Sequence, residues 1–212
     1  MMKITRRSVY VLVTAAMLLC CATTPALADT LTFVANGPVV PGLSAANESP
    51  ATGSPGVGTA TVTWDTVTSM MTVDVTFSLL TGPNTAAHIH CCVASPGTAG
   101  VATVTPTFTG FPAGASGTYL HTFDMLDAAS YNPAFITAHG NTVLTARNDL
   151  LAGLLSGQTY LNIHTAANSG GEIRGFLQQV SVPEPGTYLL LGAGLLALIL
   201  AQRSGKLAGR AL

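Results

Sequence analysis

Between residues 71 and 79 the chain alternates without a break: Met71, Val73, Val75, Phe77 and Leu79 are apolar, and Thr72, Asp74, Thr76 and Ser78 between them are polar. A period of two puts the apolar set on one side of an extended chain, whereas a helix would scatter it around the axis. The segment is therefore a strand with one face in a core. Just before it, Gly58, Ala60, Val62 and Trp64 alternate with Thr59, Thr61 and Thr63, and the polar stretch 65–69 is short enough to close a hairpin. Further strands are expected at 31–35, 85–90, 100–109, 118–124, 159–165 and 172–178, separated by Gly, Pro, Ser and Asn. Two stretches, 128–138 and 142–155, carry helical spacing instead. In the second, Val143, Leu144, Leu150, Leu151 and Leu154 are expected to share a face, and Gly157 to stop the helix. The expected fold is all-β, a Greek-key-like antiparallel β-sandwich or barrel with a short helical insertion.

The two ends read differently from this domain. Lys3, Arg6 and Arg7 precede an apolar run over 9–21 and an Ala26-Leu27-Ala28 cleavage site, the pattern of a secretory signal peptide over 1–28. At the other end a linker over 180–186 holds Pro183, Glu184 and Pro185, an apolar run covers 187–201, and the tail over 202–212 carries Arg203, Lys206 and Arg210. As a transmembrane helix the run spans about 22 Å against a hydrocarbon core of about 30 Å, so it suits a transient hold better than permanent residence. The basic tail places itself on the cytoplasmic side and the domain outside. This order of features resembles the PEP-CTERM sorting signal of bacteria that build an extracellular polymer matrix. The resemblance implies an exosortase as processing partner, cleavage near Pro183-Glu184-Pro185, passage through the inner membrane, and a final place at the cell surface or in the extracellular matrix.

Within 29–179 only Arg147 and Arg174 face Asp29, Glu48, Asp65, Asp74, Asp124, Asp127, Asp149 and Glu172. So acidic a domain is a poor ligand for phosphate backbones, which excludes nucleic acid as a partner. Signatures of catalysis are missing too: the chain has no G-x-S-x-G, H-E-x-x-H or C-x-x-C. Asp124 and Asp127 read as a cap or turn at the start of the helical stretch. Glu172 and Arg174, two apart on one strand, read as a local ion pair.

Several segments together carry a second resemblance: Ala87-His88-Ile89-His90, 119–123, Tyr131-Asn132-Pro133-Ala134-Phe135, and Tyr160-Leu161-Asn162-Ile163-His164-Thr165-Ala166-Ala167 running into Gly170-Gly171-Glu172-Ile173-Arg174-Gly175. They look like the chordin-type (CHRD) domain, over about 31–177. The resemblance implies an extracellular β-rich domain with no established catalytic activity. The expected role is a binding or structural module, not an enzyme, with an extracellular polysaccharide or a surface protein as its contact.

Chemistry concentrates on histidine and cysteine. Residues two apart on a strand share a face, so His88 and His90 project together, and Asn162-Ile163-His164 repeats the design. If those strands are neighbours, His88, His90 and His164 converge on one site suited to copper or zinc, and Cys92 extends the set if the strand runs that far. This loosely resembles the His-x-His of copper-zinc superoxide dismutase, and a copper- or zinc-binding periplasmic protein of dismutase type is the alternative reading; no segment matches the rest of that enzyme's metal-binding loop. Cys91 and Cys92 are the two cysteines outside the signal peptide. Neighbouring cysteines in an oxidising compartment leave three states open: a vicinal disulfide, a cross-link between molecules, or a metal thiolate.

Overall fold

The computed structural model describes residues 30–180, 190 and 192–200. The alternating segments form a hairpin of strands β3 (Val57–Asp65) and β4 (Met70–Ser78), with Val62 opposite Val73 and Trp64 opposite Met71. Asp65 holds the connecting turn, its Oδ1 accepting from the amides of Val67 and Thr68. Ala60, Val62, Trp64, Met71, Val73, Val75 and Phe77 are all buried, as the period requires. The alternation runs one residue too far, however. Leu79 lies beyond β4 at a φ of 62° and is exposed, because the chain turns there.

Six further strands complete the sheet: β1 (Thr30–Asn36), β2 (Leu43–Ser44), β5 (Asn84–Cys91), β6 (Gly117–Asp124), β7 (Thr159–Thr165) and β8 (Ile173–Val180). All are antiparallel neighbours in the order β5-β7-β8-β1-β3-β4-β6, with β2 lying against β3 and β8. The all-β, antiparallel expectation stands, and the eight strands are joined in one hydrogen-bonded sheet. Apolar residues from both of its halves, such as Ile89 and Leu161 on one side and Val75 and Phe123 on the other, belong to a single core cluster, so the sheet curls around its own interior.

The strand expected at 100–109 is replaced by an irregular strap along the outer edge of β5. Ala102 donates its amide to Ile89, Phe108 donates to Ala87, and the hydroxyls of Thr103 and Thr107 accept from the Ile89 and Ala87 amides. Pro106 has no amide to give a ladder, and the two threonines supply side-chain acceptors where main-chain ones are out of register. The strap protects an edge strand that would otherwise present unpaired amides.

Between β6 and β7 lie a 3₁₀ turn at Ala128–Ser130, helix α1 (Pro133–Ala138) and helix α2 (Val143–Leu155). Asp127 caps the turn by accepting from the Ala129 amide, and His139 closes α1. Of the face expected for α2, Leu150 and Leu154 are buried and Val143 and Leu151 pack against the core, whereas Leu144 is exposed; Ala146 and Gly153 complete the buried side. Thr142 caps this helix, its hydroxyl accepting from the Thr145 amide at 3.1 Å. Thr142→Ala is expected to cost about 1 kcal/mol in a urea titration, with no change in the sheet signal by circular dichroism.

Of the C-terminal apolar run, residues 192–200 are helical and Leu195, Leu196, Leu198 and Leu200 are exposed. Among the described residues no helix is long and apolar enough to cross a membrane, so the transmembrane helix expected over 187–201 is not found. The signal peptide, Pro183-Glu184-Pro185 and the basic tail lie outside the described residues.

Candidate functional site

The register of β5, β7 and β8 sorts their side chains into two sets. Ala87, Ile89, Leu161, Ile163, Ile173 and Leu177 face the core, while His88 stands opposite Asn162, His90 opposite Tyr160, and Asn162 opposite Arg174 on the other side. His164 is two residues along from Asn162 and so joins the same face. The three histidines expected to converge do so: ring centroids are 5.2 Å apart for His88 and His164, and 5.8 Å for each of the other two pairs. One ring nitrogen from each lies within 4.8 Å of the others.

Each ring is aimed by its second nitrogen. His88 Nε2 bonds the Pro106 carbonyl at 2.6 Å, His90 Nδ1 that of Ala99 at 2.9 Å, and His164 Nδ1 that of Ser169 at 3.0 Å. A carbonyl oxygen accepts only, so those nitrogens carry the proton and His88 Nδ1, His90 Nε2 and His164 Nε2 carry lone pairs. These three are buried and make no hydrogen bond. A buried acceptor without a donor costs on the order of 1–3 kcal/mol, and here the cost falls three times in one place. Burial also pushes all three imidazoles below the ordinary histidine range, His90 down to about 4, with the charges of His164, His88 and Arg174 adding to the effect there. The rings are therefore neutral at pH 7, the form that binds a metal.

Sequence reasoning missed the neighbours of this cluster. Tyr160 stacks on His90 at 4.8 Å and its hydroxyl accepts from the Ala99 amide, while Asn162 Oδ1 is buried without a donor beside His88. The signal was present, since 160, 162 and 164 share a strand face. Arg174 is fully buried and is not paired with Glu172 as expected. It donates to the carbonyls of Asn47, Gly97 and Pro96, lies 4.9 Å over the Tyr160 ring, and approaches Glu48 at 3.6 Å. Burial raises the Glu48 carboxyl to about 7, with the Arg174 charge opposing. Glu172, opposite in behaviour, accepts from the hydroxyls of Ser54, Thr81 and Thr165 and from the Thr81 amide.

Cys92 does not join the histidines. β5 ends at Cys91, and the two sulfurs are bonded to each other across a cis Cys91-Cys92 peptide, against α2 on a different side of β5. His121 lies on β6 between the rings of Tyr119 and Phe123, and His139 pairs with Asp149 at 2.8 Å. Neither approaches the cluster.

Comparison with known proteins gives two matches. A family model described as the CHRD domain matches residues 39–177, and one described as the PEP-CTERM protein-sorting motif matches residues 181–204. No curated protein and no solved structure matches the chain.

Proposed function

The chain belongs to the CHRD domain family and carries a PEP-CTERM protein-sorting motif, and from that premise we propose that it is a surface-sorted module that binds copper or zinc through His88, His90 and His164. Export, and recognition of the motif by an exosortase at the membrane, follow from the motif itself. The observation that carries the metal reading is the set of three buried, unpartnered ring nitrogens facing one another, each fixed in tautomer by a main-chain oxygen. An all-imidazole donor set suits copper and zinc, and hydrogen bonding of the far ring nitrogen is what metal-bound histidines use for orientation. The acidic domain favours the approach of a cation. The reading is one of binding and not of catalysis, and the three rings hydrogen-bond to carbonyl oxygens. The destination is the cell surface or extracellular matrix, where a polysaccharide or surface protein is the contact.

Isothermal titration of the chelator-treated mature protein with each metal tests the site. Binding of at least one metal, absent from the His88/His90/His164 triple alanine variant, is expected; equal uptake by both proteins ends the metal reading. Superoxide consumption by the copper-loaded protein above the rate of the triple variant would replace the binding module with the dismutase alternative. Sorting is tested separately. Intact-mass measurement of the surface form is expected to show loss of the residues after Pro183-Glu184-Pro185, and a mass that includes Arg203 to Leu212 would count against processing.

A further inference from the structure

On the helical side of β5, away from the histidine cluster, Cys92 is exposed and shares an open pocket of about 260 Å³ with His139, Asp149, Ser156 and Gln158. Cys91, its disulfide partner, is 5% exposed and faces the interior. The helix above is shaped for the pair. Gly153 sits inside α2, where glycine costs roughly 1 kcal/mol relative to alanine, and a Cβ there would come within 2.5 Å of Cys91 Sγ and 3.0 Å of Cys92 Sγ. The same pocket holds a histidine and carboxylate in contact: His139 Nδ1 bonds Asp149 Oδ2 at 2.8 Å, and the His139 ring packs on Phe135 at 4.0 Å. Donation from Nδ1 to the carboxylate leaves Nε2 as the basic nitrogen.

We propose that this pocket is a thiol-exchange centre, in which the Cys91–Cys92 disulfide accepts two electrons from an exposed dithiol and His139, oriented by Asp149, carries the protons. The two sulfurs are unequal, one open and one covered, so attack is directed to Cys92. In the first step a thiol of the reductant gives its proton to His139 Nε2 and its sulfur attacks Cys92 Sγ. The Cys91–Cys92 bond breaks, Cys91 Sγ leaves with the bonding pair, and a mixed disulfide joins Cys92 to the reductant. Cys91 then takes up a proton from solvent. In the second step the other thiol of the reductant gives its proton to solvent and attacks its own partner sulfur in the mixed disulfide, so that Cys92 Sγ leaves with that bonding pair and is protonated by the His139 imidazolium. The dithiol is oxidised to a disulfide, the cysteine pair is reduced to two thiols, and both protons lost by the reductant are matched by two gained at Cys91 and Cys92. The Asp149 carboxylate stabilises the imidazolium that forms between the steps. None of these groups belongs to the histidine cluster, so the proposal stands apart from the metal reading.

The test is the rate at which native mature protein, held in millimolar dithiothreitol without denaturant, gains two alkylatable thiols by mass spectrometry. The wild type is expected to gain both while its circular dichroism spectrum is unchanged. His139→Ala and the bulk-retaining His139→Gln are expected to slow the reaction by at least about tenfold, with added imidazole restoring the rate of the alanine variant. His121→Ala is expected to react like the wild type. A disulfide that resists the dithiol until the protein is unfolded would overturn the proposal. Folded His139 variants that react at the wild-type rate would overturn it equally.

Discussion

Alanine in place of His88, His90 or His164 singly is expected to weaken copper or zinc binding by at least about a hundredfold, roughly 2.7 kcal/mol, while His121→Ala and His139→Ala bind as the wild type does. Removing one ring deletes a metal bond and leaves two donors whose geometry was set for three. The pH dependence separates this site from surface histidines. Free histidine titrates near 6.5, so an exposed site would lose its metal below about pH 6. Here burial lowers all three imidazoles, His90 to about 4. Protons compete less well, and binding is expected to persist to lower pH than at an exposed histidine site. The same shift has a consequence for the metal-free protein. Between about pH 6.5 and 4 the unfolded chain takes up protons that the folded cluster refuses, so apo stability falls as pH is lowered through that window and bound metal offsets the fall. Titrations at stepwise pH, with denaturation midpoints measured with and without metal, check both.

Glu172→Gln should cost on the order of 3 kcal/mol at pH 7, and the cost should shrink in acid. Burial of this carboxyl by itself raises its pKa, but hydrogen bonds from Ser54, Thr165 and both the amide and hydroxyl of Thr81 outweigh that and bring it down to about 2. A depressed pKa means that the folded state holds the ionised form more tightly than the unfolded chain does. Its contribution is complete above the ordinary glutamate value of about 4.5 and disappears as pH falls toward about 2. It ties together three segments: residues 52–56, the turn after β4, and the β7–β8 connection. The gap between the urea midpoints of wild type and Glu172→Gln is expected to narrow steadily as pH is lowered from 7 to 3. A gap that stays constant would mean that the side chain acts through its shape and not its charge.

What could be read from the residues was whatever strand geometry expresses locally. The alternation over 71–77 named the buried set of β4, and the spacing of His88 and His90 named their shared face, because both depend only on a period of two. The meeting with His164 needed one further fact, that β5 and β7 are neighbours, which residues some seventy positions apart do not announce. Partner choice for buried charge was likewise hidden. Spacing alone paired Arg174 with Glu172, yet the sheet brings residues 47–48 and 96–97 to the arginine and hands the glutamate to hydroxyls from elsewhere. Cys92 was placed with the histidines by extending a strand one residue past its end. The strap over 100–109 looked like a strand because its threonines and valines suit one; Pro106 and the use of threonine hydroxyls as acceptors make it something else.

All three oxygens that aim the cluster, at Ala99, Pro106 and Ser169, belong to the main chain. Exchanging the side chains of Ala99 or Ser169 leaves those acceptors where they are, so at two of the three positions the orientation of the site does not depend on side-chain identity. It is written in the path length of two connections, one from the end of β5 through the strap and one between β7 and β8. The centre is therefore tolerant of substitution at those two positions and intolerant of insertion or deletion, and the loops that look freest to drift in sequence are the ones whose lengths are held fixed.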